Sequence, residues 1–187
     1  MPTERKSSME NQAVTLLSRI DPETFRAFAL FDAFRRQKRW RGPALFAAIF
    51  SAFAIVCFTL GRDLPQSGLL GGVLLAVGLG LPLFYVMYFL HSVETQAKKL
   101  RLAQKRPAYT VRLDETGLSV EQSGQKAAWP WEELTAVYRL EQCVCLYPTA
   151  RNAFLLPDGE DSHREVERAW ELVRAHMSGE KIFDLRK

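Results

Sequence analysis

Two uncharged apolar runs, residues 43–60 and 68–90, lie either side of a seven-residue turn, and Lys and Arg gather on both outer flanks. Such a pair constrains the chain before any other feature is considered. The runs hold 18 and 23 residues, which as helices reach about 27 and about 34 Å against a hydrocarbon core of about 30 Å. Thirteen Leu, Val or Phe residues in the second run favour insertion by roughly 4–8 kcal/mol, and nine Leu, Ile, Val or Phe in the first by roughly 3–5 kcal/mol. A buried helix pair of a soluble protein needs a polar face, yet between residues 44 and 60 the only hydroxyls are Ser51 and Thr59. The pattern predicts a transmembrane helical hairpin over residues 43–90.

Lys and Arg placement orients it. Arg35, Arg36, Lys38, Arg39 and Arg41 precede the first run and Lys98, Lys99, Arg101, Lys105 and Arg106 follow the second, whereas the turn holds only Arg62 beside Asp63. By the positive-inside rule both termini are cytoplasmic, in a multi-pass protein of the plasma (inner) membrane. About 40 residues precede the first run, so a cleaved signal peptide is not expected. Trp40, Tyr85, Tyr88 and His91 sit where interfacial anchors belong.

Gly68, Gly72, Ala76 and Gly80 recur every four residues in the second run, as do Ala44, Ala48 and Ala52 in the first. Small residues let helix backbones approach closely in lipid, so antiparallel packing of these two rows is the expected seam, with a homodimer through the same row as the alternative. Pro82 should kink or end the second helix. Neither run carries a carboxylate, His, Lys or Arg, which argues against an ion or proton path through this hairpin alone.

The net charge of +4 is unevenly spread. Residues 1–42 and 91–110 each sum to +4, residues 111–187 to −4. The basic charge therefore lies against the bilayer, where an anionic inner leaflet is its partner, and no recognition helix or zinc knuckle points to nucleic acid.

Residues 1–42 read as a cytoplasmic N-terminal arm. Residues 13–20 fit a short strand or a helix turn, and Asp21 before Pro22 starts a helix whose Phe25, Phe28, Phe31 and Phe34 share a side. That helix lies either in the membrane interface or on the cytoplasmic domain. After a basic linker over residues 91–107, the pattern turns from helical to β. Alternation predicts strands over 109–113, 118–122, 127–131, 135–140, 143–147 and 153–156, and residues 160–177 form an amphipathic closing helix. The fold class is α+β: a two-helix hairpin followed, over residues 108–187, by a small pleckstrin-homology-like β-roll capped by a C-terminal helix. Trp131, Leu146, Leu156 and Trp170 are its expected core.

The order of these elements, with the Asp-Glu-Thr-Gly-Leu turn at residues 114–118, the Pro130-Trp131 pair followed by Leu134 and Val137, Leu146-Tyr147, the segment at residues 153–157 and the closing helix, resembles the YcxB-like family of bacterial membrane proteins. The resemblance covers roughly the last 70 residues and, by architecture, the hairpin. It implies fold and localisation rather than an activity. The position after Leu156-Pro157, often basic in that family, is Asp158 here, which weakens a phosphoinositide-like reading.

Catalytic and metal motifs are thin. Cys143 and Cys145 share a strand face and cannot easily bridge, and with Cys57 in an apolar run they form no zinc ligand set. His163 and His176 lie outside any metalloprotease pattern, and an acidic helix start accounts for Asp158, Glu160 and Asp161. No P-loop, GxSxG or GxGxxG is present in a suitable context. The expected function is non-enzymatic, without cofactor: a membrane-anchored interaction or regulatory module binding an unidentified protein. The alternatives are an accessory subunit of a transporter or export complex, or an enzyme with an unrecognised site.

Overall fold

In the computed structural model, the described residues are 13–61, 66–100, 102 and 109–186. They form two compact units, one drawn from residues up to 28 and from 101 onward, the other from residues 29–100.

The first unit is two four-stranded sheets and a helix. β1 (Val14–Ser18), β2 (Tyr109–Asp114), β3 (Gly117–Gln122) and β4 (Gln125–Pro130) form an antiparallel sheet in chain order. β5 (Ala136–Arg139), β6 (Cys143–Tyr147) and β7 (Phe154–Pro157) form a second, to which β8 (Ile182–Asp184) adds in parallel beside β5. Turn chemistry sets the registers. Asp114 Oδ1 accepts from the backbone N–H groups of Thr116 (2.9 Å) and Gly117 (3.3 Å), closing the β2–β3 turn. At the β3–β4 turn Ser123 and Gly124 both take positive φ, 50° and 81°, the two-residue turn whose twist matches the strands.

Alternation then builds the core. Val111 and Leu113 of β2, Leu118 and Val120 of β3, Val144 and Leu146 of β6 and Leu156 of β7 face inward, and the closing helix (His163–His176) lays Val166, Ala169, Trp170 and Val173 over them. β6 is buried along its whole length. Its other face, carrying Cys143, Cys145 and Tyr147, is covered by Ile20 and Phe28.

Two departures from the sequence expectation matter. The domain set at residues 108–187 is incomplete, because β1, from the arm assigned to residues 1–42, pairs with β2 from Val14↔Leu113 to Ser18↔Tyr109 and buries Val14 and Leu16 in the same core. Five alternating residues between a polar start and a helix are too few to separate strand from helix turn by periodicity. The helix α1 (Pro22–Leu30) begins as its capping residues require, with Asp21 Oδ1 accepting from Thr24 N–H at 2.6 Å, and Phe28 rests against Tyr147 with ring centroids 6.5 Å apart.

The second unit is a helical pair, α2 (Arg41–Leu60) and α3 (Ser67–Lys99), antiparallel and mostly exposed. A π-helical turn, Phe31–Arg36, precedes α2 and packs beside α3, with Phe34 edge-on to Phe89 at 5.1 Å. α3 runs unbroken through Pro82. The closing helix of the first unit is α4.

The seam is not the one expected. Gly71 lies against Phe58 and Gly78 against Phe50, with Ala54 fully buried, while nothing comes within 4 Å of Cβ positions at Gly68, Gly72 or Gly80, and Ala76, Ala44, Ala48 and Ala52 are exposed. A row spaced by four turns about 40° round the helix at each step, so it leaves a straight seam within two or three steps. A spacing of seven, as between Gly71 and Gly78, drifts by only about 20°. Size also matters: a Cβ on Gly78 would sit 2.6 Å from that of Phe50.

In urea unfolding followed by tryptophan fluorescence, Leu16→Ala should destabilise the first unit by about 2–4 kcal/mol, and Leu17→Ala, at a site 49% exposed, by under about 0.5 kcal/mol. For the helical pair, Gly78→Leu should lower the thermal midpoint of the detergent-solubilised chain, an overpacking penalty of about 1–3 kcal/mol, whereas Gly72→Leu should leave it unchanged.

Candidate functional site

Trp131, Leu146, Leu156 and Trp170 all lie in the core of the first unit. Trp131 is not on β4 with Trp129 but in a one-turn helix after it, where its indole N–H donates to the Asp114 carbonyl at 3.0 Å and its ring stacks on His176. Trp129 instead packs on Phe154. The thiols of Cys143 and Cys145 lie 3.7 Å apart, fully buried and unbridged. Tyr109 joins the two sheets at one corner: its hydroxyl accepts from Leu155 N–H at 2.6 Å, and burial pushes its pKa up to about 12.

The polar feature that stands out was not singled out by sequence. Arg139, at the end of β5, is wholly buried. Period-two alternation puts it on the same face as Val137, toward α4, so the position was readable although its charge argued for a surface site. Its guanidinium donates to both carboxylate oxygens of Glu167, one contact being 3.1 Å, and lies 3.8 Å from Asp158 Oδ2 and 5.3 Å over the Trp170 ring. Its Nε–H, also buried, has no acceptor among the described residues.

The cluster extends outward. His163 Nδ1 is 2.7 Å from Asp158 Oδ1, and Arg186, which is paired with Asp184 at 2.8 Å, brings Nη1 to 3.6 Å from Glu167 Oε1. These contacts tie β5, the loop after β7, the first turns of α4 and the segment after β8. The hydrogen bond and charge of Arg139, with help from Arg186, hold the Glu167 carboxyl below the usual range, and Arg186 does the same for Asp184.

Asp158, His163 and Glu167 place three metal-ligand atoms within 4.8 Å of one another. Two guanidinium groups already converge on Glu167, one of them also near Asp158, so a divalent cation would sit among like charges. The arrangement acts as a clasp between sheet and helix. The expected acidic cap of α4 also takes another form: Ser162 Oγ donates to the Pro157 carbonyl at 2.8 Å and accepts from Gly159 N–H at 3.1 Å, while Asp158 turns to Arg139 and His163.

In the second unit Arg35, Lys38, Arg39, Arg41, Lys98 and Lys99 are exposed, and Arg36 pairs with Asp32 at 2.5 Å. Arg101, Lys105 and Arg106 lie outside the described residues. No protein family, curated protein or solved structure matches the chain.

The clasp makes the first unit acid-sensitive. A carboxyl whose pKa is depressed on folding contributes stability that is full above its unfolded value, about 4.3 for Glu, and is lost as pH falls through the folded one. The urea midpoint should therefore fall as pH drops below about 5, and Glu167→Gln, already lower at neutral pH, should fall by less over the same range.

Proposed function

We propose that the chain is a membrane-anchored, non-enzymatic protein: the helical pair spans a bilayer, and the first unit is a pleckstrin-homology-like module that binds or regulates another protein, as the resemblance to the YcxB-like family implies. The observation that carries the membrane part is exposure. Both helices are long and apolar enough to span, only 6% of either apolar window is buried, and Leu45, Phe53, Ile55, Leu69, Leu83 and Phe84 stand clear of the protein. Apolar surface of that extent calls for lipid or a partner.

Strand pairing supports the topology independently of charge. The pair is inserted between β1 and β2, which are hydrogen-bonded neighbours, so the chain that enters the bilayer must return to the side it left. With seven basic side chains near that end among the described residues, the positive-inside rule makes it the cytoplasmic side.

The module reading rests on architecture and on what the polar groups already do. A four-stranded meander, a three-stranded meander and a closing helix, with β8 as an addition, support the pleckstrin-homology-like reading. Arg139, Asp158, His163, Glu167 and Arg186 are engaged with one another, and β4 presents a sheet edge to which an extended peptide can add.

Single-cysteine labelling of intact cells tests the topology. Thiols placed at Ser123 and at Glu10 should both be shielded from an impermeant maleimide until the cells are opened, in a background with Cys57, Cys143 and Cys145 replaced by Ala. Labelling of either in intact cells would overturn the orientation.

A further inference from the structure

The first unit is assembled from two pieces of chain that leave the ribosome far apart, with residues 19–108, including both apolar helices, between them. We propose that completing this unit is a checkpoint on insertion: β1 reaches β2 only when the chain has crossed the bilayer an even number of times. A chain that has crossed once keeps β1 on the far side and leaves the unit open. The inference rests on the membrane reading above and adds to it a consequence for folding.

Three observations make β1 indispensable rather than decorative. Its inward residues Val14 and Leu16 are 7% and 6% exposed and belong to the main core. Ser18, buried at the end of the strand, donates from Oγ to the Leu155 carbonyl at 2.8 Å and so fastens the first sheet to β7 of the second. β2, the strand β1 covers, carries Val111 and Leu113, both fully buried. Without β1, β2 becomes a bare sheet edge backed by apolar side chains, the kind of surface that proteases and chaperones engage. The register permits no substitute by slippage, because a shift of one residue would turn Val14, Leu16 and Ser18 outward.

The rule is one of parity, and parity is testable. Four chains are expressed in membranes: the intact chain; one lacking residues 41–60, with a single span; one with residues 41–99 replaced by a Gly-Ser linker, with none; and the single-span chain carrying a second copy of residues 13–28 and a Gly-Ser linker ahead of Tyr109. Protease is added to membranes opened but not dissolved, and the half-life of the fragment holding Trp129 and Trp170 is followed. The single-span chain should be degraded at least about tenfold faster than the other three, which should match one another. A single-span chain that resists alkaline carbonate yet keeps its fragment as long as the intact chain overturns the checkpoint alone. A spanless chain degraded as fast as the single-span one overturns it too, because equal parity would then not suffice. Release of the intact chain by carbonate overturns the membrane reading and the checkpoint together.

Discussion

The pairing of β1 with β2 is the contact on which the rest of the molecule depends. It joins residues on either side of a long insertion, and closing a loop of that length instead of a four-residue turn costs about 3 kcal/mol more for a flexible chain, at roughly 0.6 kcal/mol per doubling. Most of the insertion is helical among the described residues. Within it α2 and α3 run antiparallel, held by Phe58 on Gly71 and Phe50 on Gly78.

Within that unit the second dependence is electrostatic. A buried guanidinium with one N–H left over is expensive, and Arg139 is tolerated because Glu167, Asp158 and the face of Trp170 surround the rest of it. Since Glu167 and Asp158 come from α4 and the loop before it, the charge specifies where that helix starts and how it is rotated over β5. An apolar residue at position 139 would pack against a range of helix rotations.

Six strands and the closing helix are legible in the sequence because turn residues with definite chemistry separate them: Asp114 to Gly117, Ser123-Gly124 and Pro157 to Gly159. The start of α1 is legible for the same reason. β8 is not, since three residues paired in parallel to a distant strand carry no local period. β1 stayed ambiguous because its decisive partner lies beyond two apolar helices. The seam of the helical pair is hidden for another reason: small residues spaced by four are the conspicuous pattern, whereas the contact sets glycine on one helix against phenylalanine on the other. The Arg139 cluster was legible in position, through Val137, but not in partnership, because nothing in β5 foretells a carboxylate on α4.

The unequal lengths of α2 and α3 divide the basic residues into two tiers. With Gly71 level with Phe58 and Gly78 with Phe50, Arg41 stands level with residue 87 or 88 of α3, and Lys98 and Lys99 project about 15 Å further along the axis. That exceeds the Debye length of about 8 Å at physiological ionic strength. If the helical pair spans a bilayer as proposed, Arg35, Lys38, Arg39 and Arg41 would experience the surface potential of the adjacent leaflet directly, whereas Lys98 and Lys99 would be largely screened from it. On that reading the first tier would anchor, and the second would be left to interact with whatever approaches from the water.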